Sequence, residues 1–227
     1  MNTVDHTPYT FLISANNPVP LSGPVPPHLP PDAETAATVR RTGQRPEDPP
    51  LARVVTPRLN RPWSRKAPVP FWIHSGGPDD TLLCSVRPAG QDTYDVHAAD
   101  GTPLAHVTRH PGRFLPWPRR VRWTADPAGS SGQVTGREGT WWGWLAYVVT
   151  SPVWFLWVLG MTLFSFFDGS PDDFTFGRPS RTRWHTPGTG TALDYRGRRR
   201  LYRHDPGGLD ARTAYALAVL RTWSASR

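Results

Sequence analysis

The sequence predicts a mainly β domain, in which an antiparallel barrel-like sheet surrounds a buried C-terminal helix. Three observations support this fold class. Short segments of alternating apolar and polar residues recur from residue 71 onward, which is typical of an antiparallel barrel or sandwich. The last periodic element is apolar on every side between Ala214 and Leu220, so a sheet is expected to wrap around it. A long uncharged stretch, residues 141–167, interrupts the pattern and predicts an inserted hydrophobic helical membrane segment.

Residues 1–66 precede the alternating segments and are rich in proline. They hold 13 of the 27 prolines, and few of their apolar residues recur with any period. Such a segment buries too little apolar surface to offset the entropy lost on ordering. We therefore predict a disordered Pro-rich tail over 1–66 and a barrel-like domain over 67–227. The tail would also suit a protein partner with an aromatic groove.

The strands of the predicted barrel are marked by alternation and by turn residues. Residues 93–98 and 103–109 alternate on either side of Asp100-Gly101, and Asp-Gly between alternating runs is a strong hairpin signal. After the uncharged stretch, the pattern resumes in four short segments separated by Gly and Pro turns. These segments are 173–176, 181–185, 191–195 and 199–204. Because neither half has enough strands to close a barrel, we predict that residues 71–140 and 168–205 form one β-structure.

The final element follows Gly207-Gly208, and Asp210 is its expected N-cap. A helix without a polar face is buried inside a protein and does not lie on its surface. We predict that Ala214, Leu217 and Leu220 lie in the interior of the barrel.

The stretch from residue 141 to residue 167 contains 27 residues, none charged and ten aromatic. About 20 apolar residues suffice for a helix to cross the hydrocarbon core, and aromatic side chains favour the two membrane interfaces. Near the middle, Pro152 follows Ser151 and removes one backbone donor. The predicted membrane-contacting residues are Trp141, Trp142, Trp144, Trp154, Trp157, Phe164, Phe166 and Phe167.

Two topologies suit this stretch. One helix over 144–167 has 24 residues and would extend about 36 Å, enough for a tilted single span. A single span, however, separates residues 71–140 from 168–227, which contradicts one shared barrel. We therefore favour a hairpin that bends at Ser151-Pro152 and returns to the same side of the cell membrane, with the polar domain cytoplasmic. The sequence starts without the pattern of a secretory signal, so the internal segment would direct insertion.

The chain carries a formal net charge of +8, and 25 of its 26 cations are arginine. This skew, with 27 prolines and 11 tryptophans, is typical of a GC-rich bacterial genome and argues only weakly for nucleic acid. Residues 168–227 hold 11 cations against 6 acids, and basic groups near a membrane attract anionic head groups. The candidate anionic-lipid contacts are Arg196, Arg198, Arg199, Arg200 and Arg203. Nucleic acid is the weaker alternative, with Tyr195 and Tyr202 as residues that would stack on bases.

No sequence motif predicts catalysis. Nucleophile-elbow, phosphate-loop and dinucleotide-binding patterns are absent in a strand–helix setting. Cys84 is the one cysteine, which excludes an intrachain disulfide, and His106 and His110 do not share a helical face. The acidic residues of 168–173 lack the ligand spacing of a calcium loop. We therefore predict no enzyme activity, no catalytic residue, no metal and no cofactor.

Two segments carry a resemblance to a known family. TYDVHAADGTPLAHVTR (93–109) and LDARTAYALAVLRTW (209–223) resemble the strand–Asp-Gly–strand hairpin and the terminal helix of the tubby C-terminal-like barrel family. That family includes phospholipid scramblases and the plant LURP-one-related proteins. The resemblance covers about 70–225 and implies a closed antiparallel barrel around a hydrophobic helix, with a lipid-facing role. The chain differs in lacking a cysteine-rich palmitoylation cluster and in carrying the apolar insertion.

These features lead to two hypotheses. The first is a membrane-associated barrel that binds lipids, anionic ones above all, or a partner. The second is a membrane-anchored scaffold that recruits a protein partner through its Pro-rich tail.

Overall fold

The computed structural model describes most of the chain outside residues 140–180. The described ranges are 7–21, 25–45, 47–58, 67–77, 79–112, 120–129, 132–139 and 181–225, together with Leu145, Val149, Pro152 and Leu156. Within the eight continuous ranges the chain forms twelve β-strands, one short 3-10 turn (Gly197–Arg199) and the helix α1 (Ala211–Ala225). The strands are β1 (Tyr9–Pro20), β2 (Ala33–Arg41), β3 (Ala52–Pro57), β4 (Phe71–Ser75), β5 (Leu82–Gly90), β6 (Thr93–Ala98), β7 (Pro103–His110), β8 (Arg122–Pro127), β9 (Val134–Glu138), β10 (Thr182–Thr186), β11 (Gly190–Arg196) and β12 (Leu201–His204).

The twelve strands form one closed antiparallel barrel. Each strand pairs with its neighbours in sequence, and β1 pairs with β12 to close the sheet. Closure leaves no strand edge open to pair with another chain. The prediction that both sides of the apolar stretch contribute to one β-structure is confirmed, since β4 to β9 and β10 to β12 share this barrel.

The β6–β7 hairpin shows how local sequence determines the strands. Tyr94, Val96 and Ala98 alternate with polar residues along β6, and all three are buried. The following turn contains Gly101 with a φ of 85°, a left-handed conformation that glycine adopts without strain. The Asp-Gly hairpin signal in the sequence is therefore confirmed.

The predicted disordered tail over 1–66 is wrong where the structure places β1, β2 and β3. The buried residues of these strands include several small ones, such as Ala37 and Ala52. Small side chains give a weak period-two signal. The neighbouring strands supply backbone hydrogen bonds and apolar contacts that the local composition does not reveal.

Helix α1 lies in the core of the barrel. Ala214, Leu217 and Leu220, the three positions with a predicted interior location, are all fully buried. The helix starts as expected from Asp210, whose Oδ1 accepts the backbone N–H of Arg212 at 2.8 Å. Hydrogen bonds join the helix to the strands of the barrel. In one of them, the Tyr202 hydroxyl donates to the Ala218 carbonyl oxygen at 3.0 Å.

The apolar stretch leaves and re-enters the barrel at neighbouring positions. Glu138, the last residue of β9, pairs with Thr182, the first of β10, and the Gly139 N–H donates to the Arg181 carbonyl oxygen at 2.6 Å. Arg221 of α1 holds both strands, because its Nη2 donates to Glu138 Oε1 at 2.7 Å and its Nε to Thr182 Oγ1 at 3.3 Å. We call this end of the barrel the insertion end. The eight aromatic residues predicted to contact the membrane lie outside the described residues.

Membrane crossing by a helix is not shown. In the ranges that the structure describes, no helix has both the length and the apolar character needed to span a bilayer.

Candidate functional site

Charged side chains align across five neighbouring strands on the outer face of the barrel. Arg137 on β9 lies opposite Arg122 on β8 and Arg183 on β10. Arg183 in turn faces Asp194 on β11, and Asp194 faces Arg203 on β12. We call these five residues the arginine row. Because neighbouring strands are about 4.8 Å apart, the row extends over roughly 19 Å.

Strand alternation directs the row outward. On β10, Trp184 points inward and is fully buried, whereas its neighbour Arg183 is exposed. Gly136 on β9 leaves the space that Trp184 occupies, since a Cβ at Gly136 would lie 2.5 Å from indole Cδ1. The tryptophan side chains of this wall therefore anchor the strands from inside, and the arginines face the solvent.

Asp194 organises the middle of the row. Its carboxylate accepts two hydrogen bonds from Arg181, from Nε at 3.0 Å and from Nη2 at 2.7 Å. Arg196 Nε lies 3.4 Å and Arg183 Nε lies 3.7 Å from the same carboxylate. Burial opposes ionisation of Asp194, but the hydrogen bonds and charge of Arg181, with help from Arg196 and Arg183, outweigh it and lower the Asp194 pKa.

Two grooves lie on this wall, and they differ in their balance of charge. The β9–β10 groove has three arginines and a histidine but no carboxylate among its described lining residues. It is lined by Thr135, Arg137, Gly139, Arg181, Arg183 and His185. The groove across β10, β11 and β12 includes two carboxylates that offset its arginines. Its lining residues are Pro8, Arg181, Arg183, Thr191, Asp194, Arg196, Arg203 and Asp205.

The β9–β10 groove is thus the more electropositive of the two. Its volume is about 310 Å³, at the small end of ligand pockets, which suits a compact anionic group better than an extended apolar chain. Arg120 adds to the concentration of positive charge. Burial, and then the nearby charge of Arg137, lowers the pKa of Arg120. An anion bound here would relieve this repulsion between like charges.

The sequence-predicted lipid contacts are only partly brought together. Arg196 and Arg203 line the β10–β12 groove. Arg198, Arg199 and Arg200 lie in the turn between β11 and β12, where Arg200 has a φ of 51°. This turn is at the insertion end, because Tyr195 pairs with Thr182.

Arg122, Arg137 and Arg183 were missed by sequence reasoning. They are far apart in sequence, and only the strand register places them side by side. A signal was nevertheless present, since each is the polar member of an alternating segment, next to an inward-facing apolar residue or glycine.

The two tyrosines proposed to stack on nucleic-acid bases differ in exposure. Tyr202 is 1% exposed, and its hydroxyl is bonded to the central helix, so the stacking role suggested for Tyr202 is wrong. Tyr195 is half-buried and packs beneath the guanidinium of Arg221, whose Cζ lies 4.1 Å from the ring centroid.

Other candidate chemical groups are engaged in structural contacts. His106 Nδ1 lies 2.6 Å from Asp95 Oδ1 on the neighbouring strand. Cys84 is fully buried, and burial raises its pKa to about 12, which keeps the thiol protonated and unreactive. Among the described residues, no group of three His, Cys, Asp or Glu side chains is placed to hold a metal ion.

Four residues of the apolar stretch are among those the structure describes. Leu145, Val149, Pro152 and Leu156 are each helical and exposed, with 66% of Val149 and 65% of Leu156 accessible. These exposed apolar side chains are available for contact with a membrane or a partner.

No protein-family model, no curated protein and no solved structure matches the chain.

Proposed function

We propose that this protein is a membrane-associated barrel that binds anionic lipid head groups through the arginine row. The observation that carries the proposal is the joint position of two features. The strands β9 and β10 hold Arg137 and Arg183, and the same two strands are connected by the apolar stretch. A membrane surface offers apolar chains and phosphate groups side by side, which matches this arrangement.

The energetics favour contributions from both features. Each arginine near an anionic membrane contributes on the order of 1 kcal/mol, and this contribution weakens as salt is added. Stable membrane binding takes two signals, since neither a few charges nor a short apolar element is sufficient alone. The arginine row would supply the first signal and the exposed apolar positions, such as Val149 and Leu156, the second.

The strand pairing also favours the hairpin topology. Glu138 and Thr182 are paired neighbours at the insertion end, so both ends of the stretch start from the same place. A single crossing would put β9 and β10 on opposite sides of the bilayer and break this pairing. We therefore propose that residues 141–167 enter and exit the membrane through the same leaflet and bend at Ser151-Pro152. In this topology the barrel lies on the cytoplasmic side of the membrane.

The barrel also supports the proposed relationship to tubby-like proteins. The closed antiparallel sheet and the single helix at its centre are the architecture that the family resemblance implies. Membership of that superfamily, and its lipid-facing theme, form part of this proposal.

Vesicle binding tests the role of the row. Full-length protein with Arg137→Gln and Arg183→Gln should bind vesicles of phosphatidylcholine and phosphatidylglycerol about thirtyfold more weakly, as expected for two charges worth about 1 kcal/mol each. The control is Arg58→Gln with Arg87→Gln, two exposed arginines away from the row, which should change affinity less than about threefold. Equal losses in both double variants, or equal binding to pure phosphatidylcholine, would contradict the proposal.

Duplex DNA provides the comparison with the nucleic-acid hypothesis. Binding to DNA with the same dependence on Arg137 and Arg183, and none to anionic vesicles, would favour that alternative.

Topology is tested by cysteine accessibility in intact cells. In a Cys84→Ser background, Thr102→Cys and Thr189→Cys each place one exposed thiol on either side of the apolar stretch. Both should be protected from an impermeant reagent. Labelling of one position alone would mean a true crossing.

A further inference from the structure

The outer face of β2, β3 and β4 is covered by a proline-rich segment of the same chain. We call residues 25–32, which join β1 to β2, the strap. Leu29 of the strap is 8% exposed and clusters with Val55 of β3, with Trp72 of β4 packed against them. Two turns shape the strap, since the Leu29 N–H donates to the Pro26 carbonyl oxygen at 3.0 Å and the Ala33 N–H to that of Pro30 at 3.1 Å.

A pair of histidines joins the strap to the sheet. His28 of the strap stacks on His74 of β4, with ring centroids 5.4 Å apart and an angle of 18° between the ring planes. His74 is 1% exposed, although His28 itself is exposed. Two neutral imidazoles stack favourably, whereas two imidazolium ions at this separation repel each other.

One hydrogen bond fixes the orientation of the His74 ring beneath the strap. His74 Nδ1 lies 3.1 Å from the Asp80 carbonyl oxygen, an acceptor, so Nδ1 carries a proton. Nε2 is buried and has no hydrogen-bond partner among the described residues.

The charged groups around this pair act in opposite directions. The Asp80 carboxylate, 3.7 Å from His74 Nδ1, favours the protonated form of His28. Arg53 lies opposite His74 on β3, and its Nη2 is 3.6 Å from Asp80 Oδ1, so its charge offsets part of that effect. On the strap itself, Asp32 stands at the far end from the stack, and its carbonyl oxygen accepts the Arg58 N–H at 3.1 Å.

We propose that the strap is a pH-sensitive cover, which lifts from β3 and β4 when His28 becomes protonated and thereby exposes Val55 and Trp72. The direction of the His28 pKa agrees with this role. Burial, and then the charge of His74, lowers it. Docking of the strap is therefore complete above the ordinary histidine pKa of about 6.5 and weakens as the pH falls below that value. The device is separate from the arginine row, which lies on β8 to β12.

Amide hydrogen exchange measured by NMR tests the cover directly. The amides of Leu29 and Ala33 report on the strap, and the amide of Val96 in β6 reports on the barrel. Between about pH 7.5 and about pH 5.5, the strap amides of the wild-type protein should lose protection about threefold or more after correction for the intrinsic rate, with Val96 unchanged.

His28→Phe keeps an aromatic ring on His74 but cannot be protonated, so its strap should stay protected at both pH values. His106→Gln removes an exposed histidine outside the strap and outside both grooves and should behave as the wild type. The proposal is overturned if the wild-type strap keeps its protection at low pH. It is also overturned if His28→Phe loses protection equally, or if Val96 opens together with the strap.

Discussion

The two sides of the barrel differ in their outward-facing residues and in whether another part of the chain covers them. On β2 to β4, outward residues such as Val55 and Trp72 are apolar, and the strap covers them. On β8 to β12, outward residues such as Arg137 and Arg183 are charged and line an open groove. A β-barrel has outward positions on every strand, so composition decides which part the chain covers itself and which part stays available to another molecule. The covered side is thus part of the fold, and the open side is the candidate binding surface.

The largest expected effect lies in the core that both sides share. Leu217 is fully buried in α1, and Leu217→Ala should lower the free energy of unfolding by about 2–5 kcal/mol because it leaves a cavity. Urea denaturation measures this loss. The strap and the arginine row should be affected together, which gives the reference for variants that act on one side. A loss below about 1 kcal/mol would contradict the buried-helix arrangement.

Substitution of Asp194 tests whether ion pairs on the open side stabilise the barrel. Asp194→Asn removes the charge that Arg181 and Arg196 contact, so stability should fall by about 1–3 kcal/mol. The matched control is Asp95→Asn, whose carboxylate is 42% exposed beside His106 and should cost less than about 0.5 kcal/mol.

Asp194→Asn should also change how the stability of the fold depends on pH in the acidic range. Because the folded-state pKa of Asp194 is lowered, its stabilising contribution is present above the unfolded value of about 3.9 and is lost as the pH falls through the folded-state value. Thermal unfolding scans between neutral and strongly acidic pH should show a smaller acid dependence for Asp194→Asn. An identical dependence in both proteins would mean that the ion pairs do not form.

Leu29 tests the covered side alone. Leu29→Ala should weaken strap docking by about 1–2 kcal/mol, the transfer free energy of the methyl groups removed. Exchange of the Ala33 amide should accelerate at neutral pH, with the melting temperature nearly unchanged. Val19→Ala is the control, since Val19 is 55% exposed and contributes little. Equal effects from both variants would mean that Leu29 does not hold the strap.

The smallest stability effect is expected for the exposed arginines of the row. Arg137→Gln should change the free energy of unfolding by less than about 0.5 kcal/mol, as for other exposed side chains. Chemical denaturation provides the test. A loss of about 2 kcal/mol or more would show that Arg137 stabilises the barrel and does not only face the solvent.

The parts of the fold predicted from sequence are those with strong local signals. The β6–β7 hairpin combines alternation with an Asp-Gly turn, and α1 combines an N-cap with apolar residues on all sides. The first three strands were missed because proline and small residues hide their alternation. These strands form only by pairing with strands that are distant in sequence. One example is the pairing of Phe11 with Tyr202, which a short stretch of sequence cannot reveal.

The candidate site shows the same division. Arg196 and Arg203 belong to a visible run of arginines, so composition found them. Arg122, Arg137 and Arg183 are scattered along the sequence, and the register of β8, β9 and β10 brings them together. A one-residue change in that register would turn such side chains to the opposite face. The alternating pattern therefore predicts the strands but not which of their side chains become neighbours in the row.

The closure of β1 on β12 has a consequence for synthesis. A ribosome makes β1 first and must add nearly two hundred residues before β12 and α1 emerge. Until then, the nascent sheet has two open edges and an apolar interior without its central helix, the kind of intermediate that aggregates. Pairing between residues so distant in sequence is also slow to form. The nascent chain should therefore depend on chaperones up to the moment when α1 enters the barrel.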